Sequence, residues 1–328
     1  MASAKTKQRH KNGAEAVARG AAPLASTRNG HSAVVQQRVT VNRAYKMYVG
    51  GAFVRSESGR YFQVKSDALV KGADPGVLNM PRGSRKDVRD AVLAAKNAEA
   101  GWAARTAFNR GQILYRLAEM MESRRDELMT SLVRGGESLE YAEREVSKSV
   151  DRCVYYAGFA DKFQALVSSS NPVAGPHFGF SVPEPMGVVG VILPPRPSLL
   201  ALVSTVLPVV CGGNTCVALV SDADPRTPLV WTECVATSDM PGGVINVLTG
   251  HAKEIAPVLA RHREVMAIDA WIADDKLRAS LERDGADNVK RVKTHGDNPS
   301  VWLERSGEGV GFIERFLETK TVWHPVGV

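Results

Sequence analysis

Three short apolar runs, each followed by a turn, dominate the middle of the chain. They are Gly187–Leu193, Thr215–Val220 and Val244–Leu248. Each is long enough to cross a sheet that is buried on both faces. Between the runs lie a helical stretch, Leu199–Val210, and a second helix that we expect to begin at Thr227-Pro228, a capping residue followed by proline at the first helical position. Strands that alternate with helices predict an α/β fold with a parallel sheet.

The same alternation continues, more weakly, on both sides of these runs. Before them the pattern predicts a hairpin around Gly50-Gly51, a short strand at Arg60–Val64 and three helices at Arg85–Thr106, Asn109–Val133 and Ser138–Leu166. A loop at Ser168–Pro172 then leads to an extended, proline-containing arm at Val173–Pro185. After the runs it predicts helices at Ala252–Arg261, Asp274–Arg283 and Phe312–Glu318, and strands at Met266–Ile272, Asn288–Val292 and Thr319–Trp323.

Several of these segments, taken in order and spacing, resemble the cofactor-binding domain of the aldehyde dehydrogenase family. The resemblance rests on GVVGVILP from Gly187, GGNT from Gly212 and MPGGVINVLTG from Met240. The opening YKMYVGGAFV from Tyr45 and the helical AGWAARTAFNRGQILYRLAEMMESRRDEL from Ala100 also resemble the family. The resemblance implies a Rossmann-like parallel sheet with flanking helices, together with a β arm that forms oligomers.

Charge divides the chain into a basic tail and a neutral body. Residues 1–40 carry seven Lys or Arg side chains and one Glu, whereas the remaining residues carry 35 basic and 34 acidic side chains. We therefore expect a disordered basic tail at 1–42. A cofactor-binding domain at 43–300 follows and includes the arm at 171–185. Residues 301–328 are expected to form a linker, a short helix and a C-terminal oligomerisation strand.

The residues that perform catalysis in the resembled family are not found in this sequence. In that family a cysteine attacks the aldehyde, NAD(P) takes the hydride, and a carboxylate activates the water that releases the acyl group. No cysteine follows Cys234, and the segment expected to hold the glutamate, after Asp287–Val292, reads Lys293–Pro299 instead. We therefore expect the catalytic domain to be largely missing and no residue of this chain to be catalytic.

The resemblance also locates a degenerate cofactor site at the ends of the first two strands. Its candidate residues are Ile192, Pro194 and Asp222. Leu219 stands where the family has a lysine that holds the adenosine ribose, and Asp222 stands in place of the family's glutamate. A lost charged hydrogen bond is worth about 1.5–3 kcal/mol. NAD(P) binding is therefore expected to be weak or absent.

Two further positions in this site depart from the family. Pro195-Arg196 replaces the Trp-Asn pair whose asparagine stabilises an oxyanion, and Ala270–Ala273 replaces a Gly-Ser pair. A guanidinium can stabilise an oxyanion, but we expect Arg196 to be a surface or salt-bridging residue instead.

The cysteines and histidines indicate neither a metal site nor a catalytic triad. The four cysteines form no CxxC pair, and we expect them to be buried, reduced thiols. The seven histidines show no spacing typical of a constellation, and we expect His251 and His295 to lie in loops.

The favoured hypothesis is a non-catalytic member of the aldehyde dehydrogenase superfamily, similar to the truncated, cysteine-less second module of two-module enzymes. It would be a structural or regulatory subunit, as a homo-oligomer or with a complete aldehyde dehydrogenase. One alternative is an NAD(P)-dependent oxidoreductase whose site a partner completes. A second is an adaptor that binds nucleic acid or an anionic surface through the basic tail. No membrane-spanning run or signal segment is read from the sequence, so the expected location is cytoplasmic.

The final strand leaves two outcomes open. It could extend a neighbouring subunit's sheet, with Trp323 supplying burial, or Trp323 could fold back onto the core of its own chain.

Overall fold

The computed structural model describes residues 43–65, 76–296 and 298–327, which lie within one compact unit, Arg43–Val328. The disordered tail predicted at 1–42 therefore lies outside the described residues. The strands are β1 (Met47–Val49), β2 (Ala52–Val54), β3 (Tyr61–Lys65), β4 (Val77–Pro81), β5 (Ser169–Asn171), β6 (His177–Pro185), β7 (Val188–Ile192), β8 (Thr215–Leu219), β9 (Ile245–Leu248), β10 (Val265–Trp271), β11 (Arg291–His295) and β12 (Leu317–Pro325). The helices are α1 (Arg85–Ala103), α2 (Ala107–Ser123), α3 (Arg125–Arg134), α4 (Leu139–Phe159), α5 (Phe163–Val167), α6 (Ser198–Cys211), α7 (Arg226–Ala236), α8 (Ala252–Arg261), α9 (Asp275–Ala286), α10 (Ser300–Leu303) and α11 (Val310–Glu314).

The central sheet has the strand order β11-β10-β7-β8-β9-β1-β2. Its first five strands pair in parallel, while β1 runs antiparallel to β9 and β2 antiparallel to β1. The α/β architecture with a parallel sheet and flanking helices is thus confirmed. The chain winds from β7 through β8 to β9 and then returns to place β10 on the other side of β7.

Apolar side chains on both faces hold this sheet in place. Every residue of Val188–Ile192 is buried, and so is every residue of Thr215–Leu219. Alternate residues enter different cores: Val189 and Val191 belong to the cluster that contains α6 and α7, whereas Val188 belongs to the cluster with α1 and α8. A strand buried on both faces needs such a continuous apolar run.

Two glycine pairs allow the antiparallel hairpin to join the sheet closely. The predicted hairpin at Gly50-Gly51 is confirmed, with Tyr48 opposite Phe53. Gly51 has φ +86°, and a Cβ there would lie 2.9 Å from the Cα of Gly242. Side chains at either position would separate the backbones, so glycine is required by both conformation and space.

Some helix boundaries differ from the predictions. The single helix predicted over Asn109–Val133 is two helices, because Arg124 between α2 and α3 has a non-helical backbone (φ −109°, ψ 19°). The guanidinium of Arg124 donates hydrogen bonds to the carboxylates of Glu127 and Glu233. The third predicted helix ends at Phe159 rather than Leu166, and α5 follows as a separate short helix.

Four predictions at other element ends were wrong. Helix α7 begins at Arg226 rather than after a Thr227 cap, because the Thr227 hydroxyl bonds Ser131 at 2.9 Å. The fifth parallel strand is Arg291–His295, not Asn288–Val292, because Val289 has φ +53° and forms a turn. The short helix predicted at Phe312–Glu318 spans only Val310–Glu314. The loop predicted at Ser168–Pro172 contains strand β5, Ser169–Asn171.

The arm is the middle strand of a second, three-stranded sheet with the order β12-β6-β5. Strand β12 pairs antiparallel with β6 over its whole length, from Leu317 opposite Pro185 to Pro325 opposite His177. The final strand thus pairs with the arm of its own chain, and Trp323 is 62% exposed rather than packed in the core. The expectation that this strand extends a neighbouring subunit's sheet stays a prediction. The outer edge of β12 has no neighbouring strand among the described residues.

Candidate functional site

The carboxyl ends of the five parallel strands meet at one edge of the sheet. In open α/β sheets, ligands bind in the crevice outside this edge, at the point where the strand order reverses. Here that point lies between β7 and β10, because β8 and β9 extend to one side of β7 while β10 and β11 lie on the other. The candidate site is therefore formed by the residues that end or follow these strands.

At the end of β7 the structure places two of the predicted cofactor residues, Ile192 and Pro194, and both are buried. Leu193 donates its backbone N–H to the Leu219 carbonyl at 3.0 Å, which ties this loop to β8. Arg196 is exposed and pairs with Glu137 at 3.1 Å. The prediction that Arg196 is a surface or salt-bridging residue is thus confirmed.

At the end of β8, the third predicted cofactor residue, Asp222, is paired with a histidine. Its carboxylate lies 2.5 Å from Nδ1 of His251, which caps α8, and the His251 ring lies 5.3 Å from the ring of Phe62. Leu219 is 1% exposed and packs in the apolar cluster, where it offers no hydrogen bond. These residues therefore fit an adenosine ribose poorly, because the Asp222 carboxylate is already paired with His251 and the Leu219 side chain is apolar.

A buried carboxylate, Glu145, lies at the N-terminus of α6, beside the loop that follows β7. Its Oε1 accepts the backbone N–H groups of Leu199 at 2.8 Å and Leu200 at 3.1 Å. Its Oε2 has no partner among the residues that the structure describes. Burial, with further repulsion from Glu137 and Asp224, raises the pKa of Glu145 to about 7, although the two backbone donors oppose the rise. The group can therefore change charge near neutral pH.

At the ends of β10 and β11, the structure forms a second pair of histidine and aspartate. Nε2 of His295 lies 3.0 Å from Oδ1 of Asp269, which is 1% exposed. Oδ2 of Asp269 accepts the indole N–H of Trp271 at 3.3 Å, and the His295 ring stacks on Trp271 at 3.8 Å. His295 lies in the segment where the resemblance expects a glutamate.

The expected loop position is confirmed for His251, which directly precedes α8, and is wrong for His295, which is the last residue of β11. The spacing along the chain could not reveal these pairs, since their members lie 26 and 29 residues apart. The one available signal was Asp269, a charge inside an apolar strand that requires a buried partner.

The four cysteines are free and buried, as predicted. Burial raises the pKa of Cys211 and that of Cys234 to about 12, and raises those of Cys153 and Cys216 further. A thiol attacks carbonyl carbons as its thiolate. These four side chains are therefore poor nucleophiles.

Within the described part of the chain, no three His, Cys, Asp or Glu side chains are grouped so that they could hold a metal ion. Across the same residues, no helix combines the length and apolarity needed to cross a bilayer.

Comparison with known proteins identifies related sequences over most of this region. The model of the "Aldehyde dehydrogenase family" matches residues 53–300. An aldehyde dehydrogenase of Davidiella tassiana is 29% identical over 263 residues, which cover 79% of this chain and 51% of the relative. Human retinal dehydrogenase 2 is 30% identical over 263 residues, covering 78% of this chain and 49% of the relative.

A solved structure gives the same result in three dimensions. The NAD-dependent aldehyde dehydrogenase from Sinorhizobium meliloti superposes with a TM-score of 0.72 and 27% identity, covering 79% of this chain and 51% of that one. The chain thus spans about half the length of the relatives it matches.

Proposed function

The chain belongs to the aldehyde dehydrogenase family, and from that membership we propose that it is a structural or regulatory subunit. In this proposal it does not oxidise aldehydes by itself and assembles, as a homo-oligomer or with a complete aldehyde dehydrogenase, through its three-stranded sheet. The observation that carries the proposal is the open edge of β12, where Trp323 is 62% exposed. An unpaired strand edge is an aggregation hazard unless another chain covers it.

The first part of the proposal, the lack of dehydrogenase activity, rests on the buried thiols. The raised pKa values of the four cysteines keep each one protonated, and family chemistry needs a cysteine nucleophile. The purified chain should therefore show no NAD(P)-dependent aldehyde oxidation. Replacing all four cysteines with serine should leave that background unchanged. Turnover above background that survives removal of contaminating dehydrogenases would contradict this part.

NAD(P) remains the cofactor that family membership suggests, and we propose that it binds weakly. Leu219 offers no donor to a ribose hydroxyl, and the Asp222 carboxylate is already paired with His251. Calorimetry with NAD should give a dissociation constant well above the micromolar range. A micromolar constant would instead favour the alternative, an oxidoreductase whose site is completed by residues of a partner.

The assembly part rests on the shape and chemistry of the three-stranded sheet. Strand β12 pairs with β6 along its whole length, and its other edge has no neighbouring strand among the described residues. Backbone pairing would fix the register of a neighbouring subunit, and Trp323 would supply apolar area. Only the exposed 62% of Trp323 can still be covered. For a side chain of about 200 Å² that is roughly 120 Å², which at roughly 25 cal/mol per Å² gives about 3 kcal/mol before ordering costs.

The experiment is co-purification of the tagged chain from the cell in which it occurs. The wild type should retain a full-length aldehyde dehydrogenase or further copies of itself, and Trp323→Lys should lose them because a charge would be buried at the interface. The matched control is Phe108→Lys, an aromatic residue of similar exposure (66%) on α2. The proposal is wrong if no family member is retained, or if both variants behave alike.

The adaptor alternative concerns residues 1–42, which lie outside the described residues, and it stays a prediction. Its test is the salt dependence of binding to nucleic acid or anionic vesicles before and after removal of that segment.

A further inference from the structure

A cavity of about 440 Å³ lies between the start of α2, the end of strand β6 and the glycine turn after α6. Small-molecule sites in proteins have volumes of about 300–1,000 Å³. The end of β6 and the glycine turn lead into the first residues of β7 and β8, so the cavity lies at the opposite edge of the parallel sheet from the candidate cofactor site. Its polar lining residues are Arg105, Arg110, Gln164 and Glu184, and the others are alanines, prolines and a glycine.

Arg110 is a buried cation in this lining. It is 5% exposed, and its Nη1 donates hydrogen bonds to the backbone carbonyls of Arg105 at 2.7 Å and Ala103 at 3.4 Å. Neither its Nε nor its Nη2 has a partner among the residues that the structure describes. Burial lowers the pKa of Arg110, because desolvation disfavours the charged form, yet arginine stays protonated in proteins. A buried positive charge without a carboxylate partner favours a bound anion.

Arg105 brings a second guanidinium to the same cavity. Its Nη1 donates to Oδ1 of Asn109 at 2.7 Å, which leaves its other nitrogens available to a ligand. The carboxylate in the lining, Glu184, is paired with Lys320 at 2.8 Å. The two guanidinium charges in the described lining are therefore not neutralised by Glu184.

The chemistry and size of the cavity indicate which class of anion fits it. Guanidinium groups bind phosphate oxygens through two parallel hydrogen bonds, and a phosphate monoester carries a charge of about −1.5 to −2 at neutral pH. Two arginines match that charge. The alanine and proline side chains of the lining offer apolar surface to a small organic group attached to the phosphate.

We propose that this cavity binds a small organic phosphate monoester, whose phosphate group is held by Arg105 and Arg110. The organic group lies against the apolar part of the lining. This binding site goes beyond the proposed assembly role and requires neither NAD(P) nor a second chain.

The competing role of Arg110 is purely structural, a tie between its guanidinium and the carbonyls at the end of α1. Calorimetry with phenyl phosphate, in buffer free of other phosphate, separates the two roles. Phenyl phosphate should bind the full chain, and inorganic phosphate should bind more weakly because it leaves the apolar lining uncovered. Arg105→Gln changes an exposed side chain and should weaken the binding of phenyl phosphate about ten- to hundredfold, the value of one charged hydrogen bond.

The matched control is Arg116→Gln. Arg116 is an exposed arginine of the same helix α2 that pairs with Glu119 and does not line this cavity, so the variant should keep the wild-type affinity.

Arg110→Gln should abolish detectable binding, and circular dichroism should establish that each compared variant is folded. If Arg110→Gln does not fold, Arg105→Gln alone decides the result, because its side chain is exposed. The proposal is overturned if the wild type shows no binding of phenyl phosphate at millimolar concentration. It is equally overturned if folded Arg105→Gln binds as tightly as Arg116→Gln, or if inorganic phosphate binds as tightly as phenyl phosphate.

Discussion

The parallel sheet and the three-stranded sheet of this protein differ in how far their side chains are buried. In the parallel sheet every residue of Val188–Ile192 is buried, and helix Ser198–Cys211 that covers it is buried almost throughout. In the three-stranded sheet, Leu317 is the one fully buried residue of Leu317–Pro325, and Trp323 and Phe178 are at least half exposed. The faces of the first sheet are covered by helices of its own chain, whereas most side chains of β12 in the second sheet are exposed.

This difference in burial distinguishes the sheet that forms the core of the fold from the sheet that we propose for assembly. An all-apolar strand such as β7 is stable only when helices cover both faces, and here they do. The nine residues of β12 form a full ladder with β6 yet place most side chains in solvent. In the proposed assembly, this exposed ladder is where a strand of another subunit would pair.

The largest expected loss of stability comes from replacing a tryptophan that is buried beside the parallel sheet. Trp231 of α7 is 0% exposed, and its indole N–H points to the Met121 sulfur at 3.3 Å. Trp231→Ala should lower the free energy of unfolding by about 3–5 kcal/mol, because it leaves a large cavity. Urea unfolding followed by circular dichroism measures the change.

The matched substitution in the open sheet is Phe178→Ala. Phe178 is 50% exposed, and surface substitutions usually change stability by about 0.5 kcal/mol or less. A loss at Phe178 as large as that at Trp231 would show that the three-stranded sheet has a buried core after all. The comparison between the sheets would then fail.

A smaller effect is expected from Glu145, a carboxylate buried beside the parallel sheet. Because burial raises the pKa of Glu145 to about 7, the folded state holds this proton more tightly than the unfolded state does. Its contribution to stability is complete below about pH 4.5 and is lost as the pH rises to about 7. Glu145→Gln should remove this loss, so that its stability relative to wild type rises by on the order of 3 kcal/mol between pH 4 and pH 8.

The measurement is the unfolding midpoint in urea at a series of pH values. Glu143→Gln is the matched control, since Glu143 lies on the same helix and is exposed. Parallel pH profiles for wild type and Glu145→Gln would contradict the assignment of this pH dependence to Glu145.

The smallest effect is an expected change in NAD affinity from a substitution at the carboxyl end of β8. Leu219→Lys should strengthen NAD binding by about tenfold, the value of one charged hydrogen bond to a ribose hydroxyl. Because Leu219 is 1% exposed, the lysine should also cost stability, so binding is compared at a temperature where both proteins are folded. Unchanged or weaker binding by calorimetry would show that this position does not face the nucleotide.

The fold was largely predictable because its central strands are apolar along their whole length and are buried on both faces. The apolar runs at β7, β8 and β9 were predicted as buried strands, and they are. Helix Ala252–Arg261 was predicted with both of its observed ends. Errors occurred where tertiary contacts decide the ends. The Thr227 hydroxyl bonds Ser131 rather than capping its helix. Arg124, whose side chain bonds Glu127, has a non-helical backbone that separates α2 from α3.

The site was less predictable because its contacts join distant strands. Asp269 and His295 meet only when β10 and β11 pair in register, and no local pattern contains both. The same holds for Asp222 and His251, which lie at the ends of two neighbouring strands. Periodicity predicts which face a residue occupies, but the partner depends on strand order and register.

The most direct test of the central claim is the mass in solution of the wild type and of a chain that ends at Glu318. Removing residues 319–328 deletes most of β12 but leaves the parallel sheet and its helices intact. Light scattering should show an assembly for the wild type and a monomer for the shortened chain, with circular dichroism showing that the monomer is folded. A shortened chain that keeps the wild-type mass, or that unfolds, would contradict the claim that this sheet serves assembly rather than folding.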